Sequence, residues 1–101
     1  MDEPTRAEID ASKGPLLLEF GSPDCGWCMA AQPRIRAALA EVPGIRHIRI
    51  TDGRGQPLGR SFQVKLWPTL VFLKDGQVLA RLVRPGDAAD IAAAARTIVA
   101  P

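Results

Sequence analysis

With two cysteines, one histidine, no tyrosine and only 5% aromatic residues, this 101-residue chain has few side chains able to carry chemistry. Two cysteines cannot staple a small secreted scaffold, which needs several bridges. A structural zinc ion wants four ligands, and beside the cysteines the chain could offer only His47 and a carboxylate, so no metal is expected. No apolar run approaches the roughly 18 residues that cross a bilayer, which argues against membrane partners. The formal charge of +2 is too small and too scattered for a nucleic-acid footprint. The opening Met1-Asp2-Glu3-Pro4 is acidic and lacks the basic-then-apolar layout of a secretory leader. Together with the close cysteine spacing, that makes a reducing cytoplasm the expected compartment. What remains, 47% apolar and 24% charged residues, is ordinary globular composition. It suits one domain over residues 1–101, with a core of Leu, Ile, Val and Ala.

The pattern along the chain alternates. Thr5 and Glu8 make a capping box for a short first helix anchored only by Ile9, ended by Lys13-Gly14-Pro15. Leu16 to Phe20 is a near-continuous apolar run, the mark of a strand covered on both faces. A helix from about Cys28 to Val42 follows, with Ile35, Leu39 and Val42 on one stripe and Pro33 inside it. Ile45 to Ile50 reads as a strand with one wetter face, and Asp52 to Gly59 as a loop. A short helix is expected around Leu58 to Phe62. Leu70 to Leu73 is the strongest strand signal, joined through Asp75-Gly76 to an antiparallel partner, Val78 to Val83. Asp87 and Asp90 cap a last helix with Ile91, Ala94, Ala95 and Ile98 on its apolar face. The order α-β-α-β-α-β-β-α predicts an α/β domain with a mixed sheet between helices.

Both cysteines stand together, in Cys25-Gly26-Trp27-Cys28, where the first strand gives way to the long helix. Unpaired N–H groups and the dipole at a helix start favour a thiolate, the attacking form in disulfide exchange. Cys25 is expected to be exposed and to attack, and Cys28, a turn further in, to be shielded and to resolve. Asp24 opposes this, since a neighbouring carboxylate disfavours a thiolate. Trp27, between the cysteines, is expected to be an exposed contact for a client peptide. Glu19 interrupts an apolar strand, and a buried carboxylate there is expected to hold a raised pKa suited to accepting a proton; the alternative is a strand-end glutamate facing solvent. His47 is either a structural group or part of a proton relay.

Taken together, Cys25-Gly26-Trp27-Cys28 after a strand, Pro33 in the next helix, Trp67-Pro68-Thr69 before a strong strand and the hairpin at Lys74-Asp75-Gly76 resemble the thioredoxin family across nearly the whole chain. The resemblance implies a single thioredoxin-like domain with a four-stranded mixed sheet, two parallel strands plus the C-terminal hairpin, and the first edge strand missing. It implies a cis-proline at Pro68 facing the disulfide, with the Trp67 backbone free to pair with substrate and Arg84-Pro85 lining the same groove. Trp67 could equally be a core residue. Glu19 takes the place of the family's buried aspartate. No cofactor is implied beyond the redox-active Cys25–Cys28 disulfide. The partners implied are protein disulfide clients and an electron-donating reductase, with the protein acting as a monomer. The chain departs from the family at Gly21 and Asp24, where aromatics are usual, and at Gly26-Trp27. Two other readings therefore stand beside a protein-disulfide reductase. One is a redox-sensing or peptide-binding module without turnover. The other is glutathione-linked chemistry, disfavoured by the missing Gly-Gly after the proline strand.

Overall fold

The apolar run after Gly14 becomes β1 (Pro15–Gly21), whose five central residues are all buried. Such a strand needs a layer on each face, and it has both in the computed structural model, which describes residues 3–101. Met1 and Asp2, half of the acidic start, lie outside the described residues. The chain runs α1 (Arg6–Asp10), β1, α2 (Gly26–Glu41), β2 (Arg46–Thr51), α3 (Pro57–Ser61), β3 (Thr69–Lys74), β4 (Gln77–Val83) and α4 (Ala88–Val99). This is the expected order, and most boundaries shift by only a residue or two. The sheet has the strand order β2-β1-β3-β4, with β1 and β2 parallel and β3 antiparallel to both β1 and β4.

Strand alternation sorts β1 between two cores. Leu16, Leu18 and Phe20 pack with Ile9 of α1 and with Phe62 just after α3. Leu17, on the other face, packs with Ile35 and Ala38 of α2 and with Ile91, Ala95 and Ile98 of α4. Glu19 has the parity of Leu17 and so turns towards α2 rather than to solvent. The parallel register sets Leu17 beside His47 and Glu19 beside Arg49, which puts those β2 side chains on the same face.

The capping box at Thr5 and Glu8 forms as the sequence indicates. The first helix is better held than its single apolar anchor suggests. Besides buried Ile9, the Arg6 guanidinium lies 3.9 Å from the Phe62 ring centre and donates to the Ser61 carbonyl at 2.6 Å. Helical periodicity could not show a cation acting as the second anchor. At the β3–β4 turn, Asp75 and Gly76 both have positive φ, +51° and +78°. Gly76 is needed for a second reason, because a Cβ there would collide with the Asp10 carbonyl at the end of α1.

Candidate functional site

Cys25 ends the loop after β1 and is the N-cap of α2, in extended backbone. Its Sγ accepts the Cys28 N–H at 3.1 Å, so a sulfur fills the position usually held by a serine or aspartate oxygen. The two cysteines are joined by a disulfide with their Cα atoms 5.2 Å apart. The expected contrast between an exposed Cys25 and a shielded Cys28 is nearly absent, at 8% and 5% exposure. Cys25 lies against the first turn of α2, bonded to Cys28, whose sulfur faces β1. Exposure at this end of the helix falls instead on Trp27, at 59%, and on Met29.

Cys28 packs against β1 at Gly21, which has no side chain. A Cβ on Gly21 would stand 2.8 Å from Cys28 Sγ. In the oxidised protein that sulfur is tied to Cys25, whereas in the reduced protein it can turn aside. Gly21→Ala should therefore strain the disulfide form selectively. Overpacking of about 1–3 kcal/mol, at about 30 mV per 1.4 kcal/mol, raises the reduction potential by roughly 20–60 mV. Equilibration of both proteins with glutathione buffers measures this, and an unchanged or lower potential would refute it.

Glu19 is 3% exposed and is met by three partners. His47 Nε2 lies 2.8 Å from Oε1, Gln32 Nε2 donates to Oε2 at 2.6 Å, and Arg49 Nε is 3.7 Å from Oε2. An ionised carboxylate only accepts, so the His47 tautomer that fits carries its proton on Nε2. The raised pKa expected from burial is not what results. Desolvation pushes the carboxyl up, but the hydrogen bonds from His47 and Gln32, with the fields of His47 and Arg49, outweigh it and hold Glu19 below the usual carboxylate value. Glu19 and Cys28 line one cavity of about 260 Å³ with Ser22, Pro23 and Arg49, large enough for water. Gln32 also donates to the Cys28 carbonyl at 3.1 Å, linking the carboxylate to the cysteine's helix turn. The sequence reading missed Gln32, although its position four residues after Cys28 puts it on the same helix face.

The Trp67–Pro68 peptide bond is cis and Pro68 is buried. Trp67 is half-buried, and its Nε1–H donates to Asp52 Oδ2 at 2.9 Å. Neither simple core packing nor a fully open contact surface describes it. Its backbone is not wholly free either, because the carbonyl accepts from Arg84 Nε at 2.8 Å. The Arg84 guanidinium also sits 4.7 Å from the centre of the Trp27 ring. Arg84 takes up this position from a left-handed backbone, φ +50°, with its own N–H bonded to the Pro68 carbonyl at 2.9 Å. Arg84 thus links Trp27, Trp67 and Pro68, an arginine bridge that the sequence did not indicate.

A capped, paired dithiol at the start of a helix, on a mixed α/β sheet with a cis-proline turn, defines a class of thiol–disulfide exchange proteins. The family model for thioredoxin matches residues 2–97. Thioredoxin 2 from Pseudomonas aeruginosa PAO1, in its reduced form, superposes with a TM-score of 0.86 at 49% identity, covering 97% of this chain and 91% of that one. Thioredoxin Asp f 28 of Aspergillus fumigatus is 25% identical over 91 residues, 90% of this chain and 84% of its own. Protein disulfide-isomerase A2 of Pongo abelii is 40% identical over 65 residues, which make up 60% of this chain but only 12% of that protein. The chain belongs to the thioredoxin family, and with its Cys25–Cys28 pair it is a thiol–disulfide oxidoreductase.

Proposed function

We propose that the chain works as one domain that reduces disulfides in other proteins. The observation that carries this reading is the placement of Cys25 Sγ as the cap of α2, accepting a backbone N–H. In the reduced protein the same N–H and helix terminus stabilise a thiolate. The Cys25 thiolate attacks one sulfur of the client disulfide, and the other client sulfur leaves as a thiolate. Cys28 then loses its proton and attacks Cys25 Sγ in the mixed disulfide. That releases the second client sulfur and leaves the Cys25–Cys28 disulfide.

Glu19 is the acceptor for the Cys28 proton, directly or through water in their shared cavity. Held ionised by His47 and Gln32, it is ready to accept, although its lowered pKa makes it a weaker base than burial alone would. His47 positions the carboxylate. Trp27, Trp67, Pro68 and Arg84 form the surface on which the client lies. An electron-donating reductase returns the disulfide to the dithiol, with no bound cofactor on this chain. Among the described residues no helix is long and apolar enough to cross a membrane. The reading is of a cytoplasmic monomer.

Reduction of insulin with dithiothreitol as electron source tests this activity. Turnover well above the uncatalysed rate is expected. No acceleration, with partner binding retained, would favour the non-catalytic module suggested by Gly21, Asp24 and Trp27. Activity with glutathione alone, and none with a thioredoxin reductase, would favour glutathione-linked chemistry.

A further inference from the structure

Arg84 is built differently from a solvated surface arginine. Its Nε donates to the Trp67 carbonyl and its guanidinium carbon lies over the Trp27 ring, so the side chain is held at two points. Neither Nη group has a hydrogen-bond partner among the described residues, and no carboxylate lies within salt-bridge distance of it. The two Nη groups are the donors left for a ligand, and a guanidinium takes a carboxylate with two parallel hydrogen bonds. Because the side chain is already held, little freedom is lost when a ligand binds it.

The neighbouring charges favour the same ligand. Beside the Trp67 ring lies a groove of about 320 Å³ lined by Arg54, Arg60 and Lys65, together with Asp52. Asp52 is already engaged by Trp67 Nε1 and packs under Gly59, where a Cβ would collide with its carboxylate. Arg54, Arg60 and Lys65 are exposed and unpaired with any carboxylate among the described residues. Positive charge thus collects around Trp67, at its carbonyl and along its ring, while exposed Asp24 sits next to Cys25.

We infer that Arg84 is a specificity-determining residue that receives an aspartate or glutamate carboxylate of the client, a residue or two from the client's attacked cysteine. The inference rests on the reading that Trp27, Trp67 and Pro68 form the client surface. Arg54, Arg60 and Lys65 add longer-range attraction for acidic segments. Clients bearing a glutamine at that position still react, but without the fork they are held less well.

The test uses synthetic peptide disulfides carrying either Glu or Gln at each of the two positions on either side of the cysteine, with the full chain as reductant. At one position at least, wild-type kcat/KM is expected to be about tenfold higher for Glu than for Gln, the size of one charge-assisted hydrogen bond partly exposed to water. The ratio should fall below about twofold in Arg84→Gln, where only the longer-range attraction is left, and to an intermediate value in Arg84→Lys, which keeps the charge but not the fork. Because each ratio is internal to one protein, a general loss of activity in a variant does not affect it. Ratios below about twofold at every position in the wild type, with turnover of the peptides, would overturn the specificity and leave the reductase reading intact. So would a ratio kept by Arg84→Gln. No turnover of any peptide would overturn both.

Discussion

Cys28→Ser is expected to capture client proteins as stable mixed disulfides through Cys25, while Cys25→Ser captures none and reduces none. The asymmetry follows from the cap geometry. Cys25 Sγ receives the Cys28 N–H at the start of α2, so its thiolate is stabilised whether residue 28 is cysteine or serine, because the donor is backbone. Serine at 28 removes only the nucleophile of the second step, and the adduct accumulates. Serine at 25 removes the first step, and Cys28, inside the first turn of α2 with its sulfur against Gly21 of β1, does not hold the capping position that stabilises the attacking thiolate. Turnover should be lost in both variants, as expected when either nucleophile of the two-step exchange is removed. Non-reducing electrophoresis after mixing with an oxidised client separates the two outcomes. Equal trapping by both variants, or trapping by Cys25→Ser alone, would reverse the assigned roles.

His47→Ala should destabilise the protein by about 1.5–3 kcal/mol at neutral pH, the usual size of a hydrogen bond to a charged group. The loss is large for a half-buried histidine because its partner is almost wholly buried. Without the imidazole, the Glu19 carboxylate keeps only Gln32 at 2.6 Å and Arg49 at 3.7 Å, and Arg49 is exposed. The pH dependence has a definite sign. In the wild type the folded-state pKa of Glu19 lies below its ordinary value of 4.5. Its contribution is therefore complete above that value and is lost as the pH falls through the lowered folded one. In the variant, burial has less opposition and the carboxyl protonates at higher pH. The gap between the two proteins should be widest near neutrality and narrow towards pH 3. Urea unfolding at about pH 7 and pH 3 measures it. A gap that stays constant or widens in acid would show that His47 supports the fold by packing rather than through Glu19. Insulin reduction by the same variant should slow at the resolving step, since His47 no longer positions the carboxylate in the cavity it shares with Cys28.

The difference between what could be read early and what could not is one of distance along the chain. The capping box at Thr5 and Glu8, the Asp87 cap, the Asp75-Gly76 hairpin and the double-faced strand at Leu16–Phe20 each depend on residues a few positions apart. The cysteine pair at the helix entrance is also local, so the chemistry of the chain was legible from Cys25 to Cys28. Glu19 was legible as an anomaly in its strand, but the direction of its pKa was not. Desolvation could be guessed from an apolar run, whereas the donors that overcome it come from α2 and β2, 13 and 28 residues away.

The client side shows the same division. By itself the sequence determined the fold class and the cysteine pair at the helix entrance, because propensity, hydrophobic period and turn chemistry act over short spans, whereas the proline turn was implied by the family resemblance. Only the tertiary structure decided that Asp52 would hold the Trp67 indole across 15 residues, and that Arg84 would join the Trp67 carbonyl to the Trp27 ring. Those contacts depend on strand register and on one left-handed residue at the end of β4, which set side chains from separate segments within 3–5 Å of each other. No local pattern encodes such a meeting, since each residue taken alone is an ordinary surface tryptophan, aspartate or arginine.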